Sequence, residues 1–227
     1  MKQYLIVDAD DTLWENNIYF ERAFEEFTEF LAHSSLDADG IRAVLDEIEI
    51  VNAEIHGYGA ANFGRNLRQC YQRLCEREVY DGDLTTVMSF AERILECPME
   101  VIDGVAGTLE YLSSRHELTL FTKGHPDEQK LKIDRSGLGV HFNHTAIVKE
   151  KDREAYATLA ADRRFELKRA WMIGNSPKSD INPALECGLN AVFVPHARTW
   201  TLERQDIRPG AGTLIVVDKF ADLRDHF

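Results

Sequence analysis

Several things are missing from this sequence, and each absence narrows what it can be. No stretch approaches the ~18 apolar residues that a membrane-spanning helix needs. Only four apolar residues separate Lys2 from Asp8, too few for a secretory leader, so a cytoplasmic protein is expected. The four cysteines, Cys70, Cys75, Cys97 and Cys187, include no Cys-x-x-Cys pair and have no nearby histidine partner. That argues for reduced, packed cysteines rather than a zinc site or disulfides. Basic residues are outnumbered: 26 Lys and Arg against 39 Asp and Glu leave a net charge of −13. A nucleic-acid binder that reads the backbone needs a basic face, so that class is not expected. No internal repeat or low-complexity tract interrupts the chain. What remains is the composition of a soluble globular protein, 44% hydrophobic and 29% charged, with 227 residues to build one large domain or two small ones.

The richest stretch lies near the N-terminus: Tyr4-Leu-Ile-Val-Asp8-Ala-Asp10-Asp11-Thr12-Leu13-Trp14. A short apolar run bounded by charge reads as a strand buried on both faces, the usual state in a parallel sheet. Asp8 and Asp10 then fall where the strand ends, and ligands of open α/β sheets bind outside the carboxyl ends of the strands. Clustered carboxylates repel one another unless a cation sits among them, and an all-oxygen ligand set suits Mg²⁺. An acidic turn after a core strand is the plainer reading of these residues alone.

After Trp14 the periodicity becomes helical. Phe20, Phe24, Phe27 and Leu31 mark one helix, and Ile41, Val44, Leu45, Ile48, Val51 and Ile55 a second, with Asp37 or Asp39 available to cap it. Gly57-Tyr58-Gly59 interrupts the pattern. Phe63, Leu67, Cys70, Tyr71 and Leu74 mark a third helix; Leu84, Val87, Met88, Ala91, Ile94 and Leu95 mark a fourth, ended by Pro98. These stripes form the core of a helical bundle without any cofactor.

From Val101 strands and helices alternate. Strands are expected at 118–122, 145–148, 170–173, 191–194 and 214–217. Helices are expected at 104–115, 125–136 and 151–165, and from about Ser179 and Lys219. This alternation implies a doubly wound parallel sheet. A simple crossover needs little more than a dozen residues, so the roughly eighty-five after the first strand form an inserted helical domain. The expected division is an α/β core of residues 1–14 and 101–227 and a helical domain of residues 15–100, with two linkers that can act as hinges.

Three further segments would fall at the same sheet edge as Asp8. Thr122-Lys123-Gly124 offers a hydroxyl and free N–H groups at a helix start, suited to an anion. Lys149 and Lys151 follow the third strand. Gly174-Asn175-Ser176-Pro-Lys-Ser179-Asp180 follows the fourth, where Ser179 and Asp180 are also ordinary helix-start residues.

The order Asp-x-Asp-x-Thr, Thr, Lys, Gly-Asn-Ser-x-x-Ser-Asp resembles the four motifs of the haloacid dehalogenase (HAD) superfamily, over almost the whole α/β part. The resemblance implies a Rossmann-like core and a Mg²⁺-dependent hydrolase. It implies that Asp8 is the nucleophile, Asp10 the general acid and base, and Thr122 a phosphate-binding residue. Lys123 and Gly124 would complete that phosphate loop. Lys151, or alternatively Lys149, would neutralise nucleophile and phosphate. Asp8, Asp10 and Asp180 would hold the metal, with Asn175 and Ser176 behind them; Asn175 stands where many members carry an acid, and Asp11 where many carry glycine. The helical insertion resembles the cap of the subfamily that contains dehalogenases, phosphoglycolate phosphatases and β-phosphoglucomutases.

The implied activity is hydrolysis of a small phosphorylated metabolite through an aspartyl-phosphate. Haloalkanoate dehalogenation needs neither a metal nor an acid at position 10. A phosphomutase of the same fold is the alternative, and a receiver-like phosphoaccepting module a more distant one. Neither nucleic acid nor membrane is an expected partner, and the oligomeric state stays open. Asn62 and Arg65, beside the Gly57–Gly59 break, are candidates for touching a leaving group, and the loop 196–212 with Trp200 and Glu203 has no assigned part.

Overall fold

The computed structural model describes residues 2–227. Its centre is the apolar tetrapeptide of β1 (Tyr4–Val7), flanked by β2 (Glu117–Lys123) and β4 (Ala170–Gly174). β3 (His144–Val148), β5 (Asn190–Phe193) and β6 (Leu214–Val216) complete a six-stranded, all-parallel sheet of order β3-β2-β1-β4-β5-β6. Leu5, Ile6 and Val7 are buried, as are Leu118, Leu120 and Phe121 beside them. Strands covered on both faces lose the in-out alternation and read as continuous apolar runs, which is why they stand out in the sequence.

Helices α5 (Val105–Ser113), α6 (Pro126–Ser136), α7 (Arg153–Arg163) and α8 (Asn182–Cys187) cover the sheet. One core gathers Leu5, Val7, Leu13, Trp14, Leu109, Leu120 and Phe220, and another gathers Ile6, Phe121, Tyr156, Met172 and Leu189. The strand order runs outward in opposite directions from β1 and β4, so the topological switch point, where such sheets bind ligands, lies between these two strands.

The chain divides into two compact units. One comprises residues up to Glu15 together with Met99–Phe227; the other is Asn16–Pro98. The second is all-α: α1 (Asn17–Leu31), α2 (Ala38–His56), α3 (Ala60–Leu74) and α4 (Asp81–Glu92) enclose Phe24, Phe27, Leu45, Leu67, Tyr71 and Val87. Asp37 caps α2 by accepting a hydrogen bond from the Gly40 amide.

Some element boundaries depart from the sequence expectation for identifiable reasons. On α2 the apolar stripe is only half used: Ile41, Leu45 and Ile48 are buried, but Val51 and Ile55 are 57% and 64% exposed. The helix expected at Lys151 starts at Arg153, because the Asp152 carboxylate caps it through the Ala155 amide. Lys151 therefore sits in the loop ahead of the helix. The helix expected near Ser179 opens as a π-turn, Pro177–Ile181, before α8, and the one expected at Lys219 is a 3₁₀ segment, Phe220–Asp225.

Candidate active site

β1 delivers Asp8 to the rim of the sheet, where its amide still donates to the Ile173 carbonyl of β4. The chain then turns tightly, with the Thr12 and Leu13 amides both reaching back to the Ala9 carbonyl. Asp11 takes the left-handed conformation, φ 58°, which accounts for glycine's fitness at this position. The turn brings the Thr12 hydroxyl back to Asp8 Oδ2 (3.0 Å), with Asn175 Oδ1 as a second acceptor at 3.2 Å.

Lys151 lies between Asp8, just past the end of β1, and Asp180, in the turn after β4. It is 3% exposed, and its ammonium donates to Asp8 Oδ1 and, at 2.8 Å, to Asp180 Oδ1. The other Asp180 oxygen accepts from the Ser176 amide at 2.9 Å. Gly174 makes this possible: a Cβ there would lie 2.2 Å from Asp180 Oδ2. Burial opposes the charge on Lys151, but Asp180 and Asp8 outweigh it and keep the ammonium protonated well above its usual range. For Asp180, burial and the neighbouring Asp8 charge push the carboxyl up against the pull of Lys151. Two carboxylates thus share one lysine in a water-poor site; with both ionised the cluster carries one excess negative charge, and Asp180, pushed up to about 7, is where a proton or a cation relieves it.

Asp10 goes elsewhere. Its carboxylate accepts two hydrogen bonds from Lys132 (2.7 and 2.6 Å), one from Gln129 (2.9 Å) and one from the Trp14 indole (2.8 Å). Burial raises its pKa, and the Lys132 charge together with these bonds more than reverses the effect, so the carboxyl lies below its ordinary value. Gln129 is itself fixed between Asp10 and the Lys123 carbonyl, close against Gly124 at φ 144°, where a Cβ would meet its Nε2 at 2.6 Å.

No protein-family model and no curated protein sequence matches the chain. Solved structures do. A haloacid dehalogenase-like family hydrolase from Xanthomonas campestris is 26% identical with a TM-score of 0.85, over 99% of this chain and 94% of its own. The HAD-hydrolase YfnB of Bacillus subtilis, bound to magnesium, is 17% identical with a TM-score of 0.71, over 99% and 98%. A predicted phosphoglycolate phosphatase from Haemophilus somnus is 15% identical with a TM-score of 0.69, over 99% and 97%. The chain has the HAD-like hydrolase fold. Haloacid dehalogenases also match, at lower TM-scores, so the fold by itself does not choose between phosphate esters and haloacids.

Within this HAD-like core, Asp8, Lys151 and Asp180 come together in direct contact, and Thr122 lies buried at the end of β2, in register with Ile147. Lys149 is exposed. Asn175 ties Thr12 to Thr199 through its two amide atoms, and Ser176 supplies the amide that holds Asp180. The Asp10 carboxylate turns to α6, which leaves its backbone carbonyl as the expected metal ligand. One expectation changes in the Thr122-Lys123-Gly124 segment: the Gly124 amide is not free, because it donates to the Val148 carbonyl at 3.1 Å as the segment continues beside β3. The Lys123 ammonium donates to Glu203 (2.5 Å) and to the Ser179 hydroxyl (3.0 Å).

Residues that the motifs did not single out are Lys132, Gln129 and His196, while Glu203 had no assigned role. Gln129 and Lys132 share a face of α6 at i, i+3, a spacing visible in the sequence but without any local sign of its partner. His196 lies between Asp11 and Glu15, with Nδ1 3.9 Å from Asp11 Oδ1 and Nε2 3.4 Å from Glu15 Oε1. Among the described residues, these three are the group whose ligand atoms lie close enough to share an ion. However, His196 Nδ1 is already occupied, accepting from the Arg198 amide at 3.3 Å, and Nε2 faces Glu15. No helix among the described residues is long and apolar enough to cross a membrane.

Proposed function

We propose that this HAD-like hydrolase is a Mg²⁺-dependent phosphatase that hydrolyses a small phosphorylated metabolite through an aspartyl-phosphate. The observation that carries the proposal is the sharing of Lys151 by Asp8 and Asp180 at the switch point. The donor set fits the ion: two buried carboxylates with one cation between them keep an unbalanced negative charge and offer hard oxygen ligands. Asp8, Asp180 and the Asp10 backbone carbonyl would hold Mg²⁺, which when bound neutralises phosphate charge.

Each step falls to a residue of the chain. Asp8, oriented by Thr12 and Lys151, attacks phosphorus, forming the carboxyl–phosphoryl bond as the ester P–O bond breaks. Asp10 supplies the proton that the leaving alkoxide takes up. It then accepts a proton from the water that attacks the acyl phosphate and releases Asp8 and inorganic phosphate. The Lys132 contact keeps the resting Asp10 ionised, so before it can donate, that carboxylate must leave Lys132 and take a proton from solvent; in the second step it regains one from the attacking water. The Thr122 hydroxyl would contact a phosphate oxygen, whereas the Gly124 amide is already engaged, donating to the Val148 carbonyl at 3.1 Å. The helical unit would act as the cap that chooses the substrate.

The test is phosphate release from p-nitrophenyl phosphate and from a panel of sugar phosphates, nucleotides and phosphoglycolate, with Mg²⁺ and with EDTA. Activity should require Mg²⁺ and vanish in Asp8→Asn. Turnover by Asp8→Asn at the wild-type rate would remove the nucleophile and with it the mechanism. An isomerised sugar phosphate with little free phosphate would make the enzyme a mutase, and halide release from a haloacid would make it a dehalogenase.

A further inference from the structure

Glu203 is a buried carboxylate that the mechanism does not use. It lies in the loop between β5 and β6, at the end of a 3₁₀ turn, Thr201–Glu203, and its side chain is 9% exposed. Leaving a charge there is costly unless it is paired and hydrogen-bonded, and both oxygens are engaged. Oε1 accepts from Lys123 Nζ at 2.5 Å and Oε2 from the Ser176 hydroxyl at 2.6 Å. Burial pushes the carboxyl up, but Lys123 and the hydroxyl bonds outweigh it and keep it ionised.

The contacts behind Glu203 lead directly to Asp180. The Ser176 hydroxyl that donates to Glu203 accepts from the Ser179 amide at 2.9 Å, capping the Pro177–Ile181 turn. The Ser176 amide, on the same residue, donates to Asp180 Oδ2. Lys123 closes the loop from the other side by donating to the Ser179 hydroxyl, and the Tyr156 hydroxyl holds the Ser179 carbonyl at 2.9 Å. The loop that presents Glu203 is itself fastened, since Asn175 donates to the Thr199 hydroxyl and the Arg204 guanidinium to the Thr199 carbonyl.

We propose that Glu203 is a positioning residue: through Ser176 and Lys123 it fixes the 176–180 turn so that Asp180 meets Lys151 and a divalent ion with the correct oxygen. Lys123 is then a strut of this network and not a phosphate ligand. The proposal rests on the reading of Asp8 and Asp180 as the metal-binding carboxylates. Groups that orient ligand side chains typically change metal affinity about 10- to 100-fold when removed, and that is the effect expected here.

The experiment is calorimetric titration of the substrate-free protein with Mg²⁺, for wild type, Glu203→Gln and Ser176→Ala, each checked for folding by its urea midpoint. Glu203→Gln removes the charge that pairs with Lys123 and puts an NH₂ where one of the two carboxylate oxygens stood: against Lys123 it sets donor to donor, and against Ser176 it leaves the hydroxyl without its acceptor. Mg²⁺ should therefore bind about 10- to 100-fold more weakly. Unchanged Mg²⁺ affinity in folded Glu203→Gln, even with a lower urea midpoint, would make Glu203 a fold residue only and overturn the proposal. If Glu203→Gln does not fold, Ser176→Ala decides: it leaves the Lys123–Glu203 pair intact and cuts the link to Asp180, so the same weakening is expected, and none refutes it. Wild-type protein that takes up no Mg²⁺ would overturn the metal reading on which the proposal stands.

Discussion

Replacing Lys151 with methionine tests the charge logic of the site in isolation from turnover. The side chains of Lys151 and Asp180 are each 1% exposed and that of Asp8 is 10% exposed, so water can compensate little when the ammonium is removed. At 2.8 Å and an effective dielectric constant near 20, the Lys151–Asp180 attraction alone is about 6 kcal/mol before desolvation is subtracted. Measured losses on breaking buried pairs run at about 3–5 kcal/mol, which we expect for Lys151→Met in EDTA at pH 8.

The sign of the pH dependence follows from which groups are left. Without Lys151, Asp180 keeps its burial and the neighbouring Asp8 charge but loses its cation, so its folded pKa, already raised, rises further above the unfolded carboxyl value of about 3.9. A raised acid binds its proton more tightly in the folded state, so stability returns as pH falls through the folded value. Each pH unit between the two values restores up to ~1.4 kcal/mol. Most of the loss should be recovered by pH 5. Mg²⁺ at about a hundred times its dissociation constant should add about 2.7 kcal/mol at pH 8. Urea unfolding at pH 8, 6.5 and 5, with EDTA or Mg²⁺, measures all of this. A variant as stable as wild type at pH 8, or equally destabilised at pH 5, would refute the reasoning.

Lys132→Met should free the Asp10 carboxyl from its cation while Gln129 and Trp14 stay. Because the wild-type Asp10 pKa is depressed, the pair stabilises above the unfolded carboxyl value and loses its effect as pH falls through the lower folded one. The stability gap, about 1–3 kcal/mol for a pair between the exposed and the fully buried case, should be full at pH 7 and close towards pH 3 in urea titrations. Gly174→Ala puts a methyl group 2.2 Å from Asp180 Oδ2. It should cost about 1–3 kcal/mol in stability and abolish the proposed phosphatase activity, since Asp180 must leave Lys151 and the Ser176 amide. Inorganic phosphate should bind the wild-type protein in calorimetry with Mg²⁺ present and not with EDTA; equal binding in both would contradict the charge balance described for Asp8, Asp180 and Lys151.

The sequence is most legible where chain position alone decides geometry. Asp8 follows a buried strand, Lys151 and Asp180 follow two others, and parallel topology brings all such ends to one rim, so their meeting needs no knowledge of rotamers. The fate of Asp10 was not legible, although it lies only two residues further on. Its orientation depends on the turn at Ala9–Leu13 and on Lys132, which is 122 residues away and resembles any surface lysine of a helix. Glu203 was hidden for a related reason: a carboxylate in a loop without periodicity gives no sign that it will be buried against Lys123 and Ser176. On α2 periodicity itself misleads, because Val51 and Ile55 continue the stripe of Ile41, Leu45 and Ile48 into solvent.

The lysines around the rim do not form a positive pocket, despite their number. Lys132 is taken by Asp10 and Lys123 by Glu203, with Glu150 a further 3.9 Å from Lys123. Lys151 is divided between two carboxylates. A phosphate dianion approaching Asp8 therefore meets a site whose fixed charges are balanced or negative, in a chain that is negative overall. On the proposed function, attraction would come from a divalent cation held by Asp8 and Asp180, together with the Thr122 hydroxyl, which would impose an order, ion before substrate. The proposed fixing of Asp180 by Glu203 fits that order: a misplaced carboxylate would leave the phosphoryl group facing an unshielded anion.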